Sequence, residues 1–423
     1  MPHQEALTVL APIRAGAEDR VREALAAAAA ADPPEAAMPF GQMTGVHYAR
    51  FFLLDADVAP DGTRLAERLV LMSDVDAPLD RHLTELAERG AAALDRVLRH
   101  CDGYPDDPDV HGRLVYLRRH AVASAAAYVN TVGRGLDQIL LEERLRDAVE
   151  AYLDRCRNEL AAGDARTARA KIRRFVAADE TLRPALEPAQ PPDLAFRVRE
   201  AAHLVVVPAV LLLLTPALLV ALPVGVVLLR LHERHDVPDE RPADDAHVAL
   251  LASLEDHSIQ NPFIAAGPLK RGPFRRLLTS GVLWIASYAV RHVFNHADLA
   301  GVKTIHFARW VFVDGKRRVV FASNYDGSVE SYMDDFIDKV WWGLNAVFSN
   351  GVGYPRTRWL FFGGARDERA FKNVLRTRQA PVQVWYSAYP NLTARNVENN
   401  ARFRAGLSGT MSEQEAEAWL QRL

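Results

Sequence analysis

The sequence predicts an α+β fold in which one β-α-β-β-α-β unit is written twice, and three observations carry that prediction. Val46 to Asp55 reads VHYARFFLLD, and Ile305 to Asp314 reads IHFARWVFVD. Arg68 to Asp76 (RLVLMSDVD) answers Arg318 to Asp326 (RVVFASNYD), and the helical stretch after each ends in the same tripeptide, at Gly103 to Pro105 and at Gly353 to Pro355. A chain of 423 residues also exceeds the size at which one hydrophobic core keeps growing, so two units are expected from length alone.

Taken in order, Thr8 to Gly16 supplies a first strand and the run through Ala31 a first helix. VHYARFFLLD is apolar, β-branched and aromatic enough for a buried strand. A turn containing Asp61-Gly62 leads to RLVLMSDVD, then a helix, and Arg113 to His120 reads as the fourth strand. The second copy runs from Asn261 to Gly272, through a helix over Phe274 to Phe294, to the two long strands. Asp314-Gly315 joins those strands as a type I′ hairpin signal, which requires positive φ at both central residues. Trp359 to Gly364 is the second fourth strand.

Such a unit is a ferredoxin-like sheet with helices on one face, and its open face needs a cover that a second copy can supply. In element order and tandem duplication the chain resembles the dimeric α+β barrel superfamily over most of residues 1–135 and 257–405. The resemblance implies a pseudo-dimeric α+β barrel and leaves the chemistry open, because such folds host unrelated activities. The expected organisation is a first repeat over 1–135, a helical linker over 136–256, a second repeat over 257–409 and a C-terminal helix over 410–423.

Inside the linker, Leu204 to Leu229 carries no ionisable group, and about 20 apolar residues suffice to span hydrocarbon as a helix. A membrane is therefore an expected partner. Two repeats packed together must lie on one side, and Pro208, Pro216 and Pro223 interrupt the helical ladder. These features predict a bent re-entrant or interfacial insertion from the cytoplasmic face, with one tilted span as the alternative. Arg197, Arg199, Arg230 and Arg234 flank the run evenly, so positive charge assigns no orientation. Lys270, Arg271, Arg275 and Arg276 precede a helix containing Trp284 and Tyr288; its apolar stripe is expected to face the sheet rather than headgroups.

The formal net charge of −3 excludes a broad basic field of the kind nucleic acid needs. Cys101 and Cys156 make neither a disulfide framework nor a zinc set, which fits a reducing compartment. The N-terminus lacks a positive region followed by an apolar core, so no cleaved secretory signal is expected.

Alternation along the strand predicts that His306 and Arg309 point to opposite faces. A buried His or Arg needs a partner, either a ligand carboxylate or a structural one such as Asp326. Asn324-Tyr325-Asp326-Gly327-Ser328 closes a strand and opens a helix, where Ser or Asp caps and Gly turns. The last two positions of a G-x-x-D-G motif match at Asp326 and Gly327, a partial resemblance to dye-decolorising peroxidases. That resemblance implies haem chemistry; Ser323 replaces the first Gly, and a haem ligand must come from upstream, at His257, His292 or His296. His292 and His296 are spaced i, i+4 near a helix end, a spacing that can serve one metal, but interaction with the helix dipole explains them better. Tyr386, Tyr389, Asn391, Arg395, Asn396, Asn399, Asn400 and Arg402 form a polar C-terminal set suited to an acidic or amide-bearing ligand.

The resulting expectation is a membrane-associated protein that takes a lipophilic small molecule or cofactor into its second half, for oxidative chemistry of peroxidase or monooxygenase type. His306, Arg309 and Asp326 are its expected polar anchors, and His257, His292, His296, Asn324, Tyr325 and Gly327 its cofactor contacts. The rival expectation is a noncatalytic membrane-bound scaffold. A transporter lacks spans, and homo-oligomerisation is left open.

Overall fold

The computed structural model describes residues 3–30, 38–156, 164–295 and 297–423. It is a mixed α and β structure with two four-stranded antiparallel sheets. The first half contributes β1 (Gln4–Pro12), α1 (Glu18–Ala29), β2 (Val46–Leu54), β3 (Arg68–Asp76), α2 (Leu79–Glu88), α3 (Ala91–Leu98), α4 (Val110–His120) and β4 (Ala126–Val129). Helices α5 (Leu136–Arg155), α6 (Ala165–Ala178), α7 (Leu194–Arg234) and α8 (Asp245–Ala252) follow. The second half contributes β5 (Gln260–Pro268), α9 (Pro273–His292), β6 (Ile305–Val313), β7 (Arg318–Asp326), α10 (Val329–Phe348), α11 (Glu368–Arg378), β8 (Val382–Ser387), α12 (Ala394–Ala405) and α13 (Glu413–Leu420).

Strand order is β1-β3-β2-β8 in one sheet and β4-β6-β7-β5 in the other. The two registers match residue for residue: Gln4 lies opposite Asp76 and Pro12 opposite Arg68, as Gln260 lies opposite Asp326 and Pro268 opposite Arg318. Each sheet is completed by a strand from the other half.

That exchange corrects the expected fourth strands. Arg113 to His120 lies within α4, which the Asp109 side chain caps by accepting the Gly112 N–H at 2.6 Å. Trp359 to Gly364 is a turn within a two-residue ribbon, Thr357–Arg358 against Phe362–Gly363. The true fourth strands leave their own sheet after brief contact with it. Val122 N–H reaches Thr8 O and Ala380 N–H reaches Ile264 O, after which β4 pairs with β6 and β8 with β2. The hairpin after β6 is also wider than a two-residue turn, with Asp314, Gly315 and Lys316 all at positive φ.

Alternation sorts each long strand onto two faces. Ala49, Phe51 and Leu53 join the core under α1 to α4, whereas Phe52 and Leu54 meet Val311, Val313 and Val320 of the other sheet. The sheets thus face each other across a shared core, each with its helices outside. Helices α5 and α6 pack with Phe403, Leu407 and Trp419, so the start of the linker and the C-terminus form a second, all-helical core.

Helix α7 continues for 41 residues through Pro208, Pro216 and Pro223, which corrects the expected bend. A proline removes one hydrogen bond of the ladder, and the spacing of these three leaves intact turns between them. This is the one helix among the described residues long and apolar enough to cross a membrane.

Candidate functional site

Strands β2 and β6 begin with the same irregularity. Val46 pairs with Val75 and Tyr48 with Asp74, while Ile305 pairs with Tyr325 and Phe307 with Asn324. One extra residue is accommodated at each place, His47 and His306, and a bulge redirects side chains. His306 and Arg309 therefore share the side facing the other sheet, contrary to simple alternation. His306 stands 5.5 Å from the Tyr48 ring, and Arg309 donates to Leu7 O at 2.6 Å and Ser73 O at 2.9 Å.

The result is a twofold-repeated polar centre. His306 Nε2 is 2.6 Å from Asp326 Oδ1, and Asp326 Oδ2 accepts the N–H of Ala394, the first residue of α12, at 2.7 Å. His47 Nε2 is 3.1 Å from Asp76 Oδ1, and Asp76 Oδ2 accepts the N–H of Leu136, the first residue of α5, at 2.8 Å. Each carboxylate thus holds a histidine and a positive helix end at once. Tyr389 adds a hydroxyl 3.1 Å from His47 Nδ1.

The correspondence between the two sites breaks one step further in. Arg309 forms a buried ion pair with Asp74, but Asn324 occupies the position in β7 that Asp74 occupies in β3, and donates to Asp74 Oδ2 at 3.2 Å. Arg50, the counterpart of Arg309, is left with Ser323 O at 3.0 Å and the face of Trp385 at 5.0 Å. Burial, helped by the nearby Arg309 charge and only partly offset by Asp74, pushes its guanidinium down to about 9.

The remaining expected contacts are dispersed. Tyr325 is buried and stacks on Tyr332 at 4.1 Å; burial raises its phenol far above the usual range. Gly327 turns at φ 83°, and its N–H meets Ile259 O at 2.9 Å. Ser328 caps α10. His257 is exposed and touches Ser253 O at 3.0 Å; His292 lies 2.8 Å from His203 of α7; His296 lies outside the described residues. The C-terminal amides serve structure: Asn396 closes a capping box with Thr393, Asn399 donates to Arg422 O, and Asn400 lies within reach of Arg146.

A haem does not fit this centre. The void beside His47, His306 and Tyr389 is about 20 Å³, room for about one water, and both oxygens of Asp326 are engaged.

A much larger space lies on the outer side of the second sheet, a cavity of about 880 Å³. Its floor is Phe263, Trp310 and Phe321 of the sheet, its walls are α9 and α10, and Leu218, Leu222 and Gly225 of α7 border it. The lining is almost wholly apolar, and the Tyr332 hydroxyl within it is bound to Ser323 Oγ at 2.6 Å. In the first half Leu83, Leu86, Leu94 and Val97 fill the matching layer, where a void of only about 10 Å³ remains beside Val97. The sequence signal for the cavity is a set of small residues on the facing helices, Gly281, Ala286 and Ala289 on α9 with Gly343 and Ala346 on α10.

Helix α7 is fastened beside this cavity at both ends. Near its start, Glu200 pairs with Arg291 at 3.1 Å and Tyr288 donates to Leu204 O at 3.2 Å. Near its end, His232 stacks on Phe274 at 5.2 Å, and buried Glu233 accepts the N–H groups of Trp359 and Leu360 at 2.9 and 2.8 Å. Just beyond, Asp236 pairs with Arg275 at 2.8 Å and with Lys270 at 2.7 Å. Two members of the basic cluster before α9 are therefore consumed inside the protein, and α7 runs antiparallel to α9.

Comparison of the chain with protein-family models, with curated proteins and with solved structures finds no match.

Proposed function

We propose that this protein is a membrane-associated lipid-binding protein that takes the apolar body of a lipophilic molecule into the cavity outside its second sheet. The carrying observation is the cavity itself: about 880 Å³ with an almost wholly apolar lining, within the size range of small-molecule sites and beside a helix apolar enough for a membrane. The scaffold is read as two ferredoxin-like repeats closed into a pseudo-dimeric α+β barrel. The matched registers and exchanged fourth strands support that reading. Two free cysteines support a placement of the folded body in a reducing cytoplasm.

The polar centre has a separate role in this proposal. His47–Asp76 and His306–Asp326 sit where the exchanged strands hand over to α5 and α12, and hold the two halves in register. No redox step is assigned to it, since the void there admits about one water.

The test is quenching of the cavity tryptophans, Trp310 and Trp342, by a doxyl-labelled stearic acid added to the detergent-purified full chain. Saturable quenching is expected, weakened about tenfold or more by Gly281→Phe, because a side chain at Gly281 grows into open space. Quenching that never saturates, or that Gly281→Phe leaves unchanged, overturns the proposal.

A further inference from the structure

We infer that α7 lies along one leaflet of the bilayer without crossing it, and that the cavity is filled sideways from that leaflet. The inference rests on the lipophilic reading of the cavity and adds where the occupant comes from.

The first observation is that the middle of α7 is apolar and exposed all round. Leu211, Leu212, Leu213 and Leu214 are consecutive, so at 3.6 residues per turn they point in every direction, and all four are exposed. A protein partner, including a second copy of this chain, covers one stripe of a helix. A surface with no polar side is suited only to a fluid apolar solvent.

The second observation is where its ends are held. Glu200 and Leu204 are bound to the C-terminal turns of α9, and His232 and Asp236 to its N-terminal turns. Helix α9 in turn buries Thr279, Leu283 and Val290, with Leu283 and Val290 in the core over the second sheet. A crossing would carry the two ends of α7 to opposite sides of about 30 Å of hydrocarbon. The α9 layer and its sheet edge would have to follow, placing unpaired backbone in lipid. An in-plane helix keeps both ends, and the arginines Arg197, Arg199, Arg230 and Arg234 there, at headgroup level.

The third observation is a rim of exposed side chains continuous with the cavity. Leu277, Trp284 and Ile285 are exposed on α9, and exposed Trp342 and Phe361 line the cavity beside them. The stripe of α9 expected to face the sheet does so through Leu283 and Val290, and the helix carries a second, exposed one besides. Tryptophans at that level suit the membrane interface. Cavity-bordering Leu218, Leu219 and Leu222 of α7 are themselves exposed, so the opening and the lipid-facing helix form one apolar surface. A chain can pass from leaflet to cavity without meeting water.

The experiment labels introduced cysteines, one at a time, in the full chain with Cys156→Ser and native Cys101 buried, using a membrane-impermeant maleimide on sealed right-side-out and inside-out vesicles from producing cells. Val198→Cys and Val237→Cys, which flank the apolar run, are expected to react in the same vesicle orientation and not in the other. Leu212→Cys and Leu213→Cys are expected to react at least about tenfold more slowly until detergent is added. In phosphatidylcholine vesicles, a fluorophore at Leu213→Cys should be quenched more strongly by lipids carrying doxyl near the headgroup than near the chain end.

Reaction of Val198→Cys and Val237→Cys in opposite orientations establishes a crossing and overturns the inference. So does rapid labelling of Leu212→Cys in intact vesicles, or efficient Leu212 to Leu212 cross-linking without lipid quenching, which gives the helix to a second copy. Loss of stearate binding with same-side labelling retained would remove the cavity reading and leave the leaflet placement standing.

Discussion

His306 Nε2 lies 2.6 Å from an Asp326 carboxylate oxygen, and the same contact recurs between His47 and Asp76 at 3.1 Å. Both pairs stand at a strand bulge, and both carboxylates use their second oxygen to hold the first N–H of the helix after an exchanged strand. The same solution at two equivalent places, each with both carboxylate oxygens bonded within the chain, is the pattern of a fold-specifying network. It also explains why the fourth strands can leave their own sheets: each arrives at a prepared anchor.

Removing one anchor should therefore unfold more than one element. Asp326→Ala leaves His306 buried without its partner and the α12 N-terminus without its acceptor, a loss of about 3–5 kcal/mol. Asp76→Ala should cost a similar amount through His47 and α5. Urea denaturation of each variant measures this. A loss in Asp326→Ala below about 1 kcal/mol, with activity or ligand gone, would return Asp326 to the role of a site residue.

The two central arginines should respond in opposite directions. Arg309→Met removes the ion-pair partner of buried Asp74, leaving it the Asn324 amide and the more distant Arg50 charge, and should cost about 3–5 kcal/mol. Arg50→Met removes a buried guanidinium that makes no ion pair among the described residues, its charge favoured by nearby Asp74 but opposed by burial and Arg309, and keeps apolar contact with Trp385, so stability should change by no more than about 1 kcal/mol or rise. Thermal melts of the two variants compare them directly. Equal losses would show that Arg50 has a charge partner in solution.

The correspondence of the long strands is legible in the chain because VHYARFFLLD and IHFARWVFVD are buried on both faces and carry the same polar residues at the same places. The fourth strands are not legible. AAYV and VQVWYS are short, and what makes them strands is an edge supplied by the other half. Asp326 can be named from sequence as a partner for a buried histidine, but one inserted residue at the bulge decides which side His306 faces. The cavity is harder still. Its volume is a difference between side chains on separate segments, so Gly281 and Gly343 read as weak helix positions rather than as a lining. Glycine tolerated twice on facing helices is the trace it leaves.

Acid should weaken the first half before the second through His82. This imidazole is buried, lies 2.8 Å from Ser73 Oγ, and burial pushes it down to about 4. Unfolded, it takes a proton near its ordinary value of 6.5. Between those values the unfolded chain binds one more proton than the folded chain, so stability rises with pH across the window and falls as pH drops from 6.5 toward 4. The loss is about 3 kcal/mol. His82→Gln should flatten that part of the stability profile, read from denaturation midpoints at closely spaced pH values. An unchanged slope would assign the acid sensitivity to other groups.

Glu233 should control the loop that borders the cavity. Trp359 and Leu360 are consecutive bulky residues at φ 58° and 67°, a left-handed conformation that costs such side chains about 1–3 kcal/mol each. The Glu233 carboxylate, buried at the end of α7, accepts both of their N–H groups and lies 3.2 Å from Thr357 Oγ1, while Arg230 balances its charge at 2.9 Å. Two successive N–H groups converging on one anion form the kind of nest that makes this backbone shape tolerable. Glu233→Ala removes the anion, leaves the two donors without it, and should cost about 3 kcal/mol. The loop then has no reason to keep its shape, so trypsin should cut at Arg356 and Arg358 well before the rest of the chain. Glu233→Gln retains an acceptor and should show an intermediate rate. If Glu233→Ala digests no faster than the parent protein at those two sites, the end of α7 is not what holds the cavity border in place.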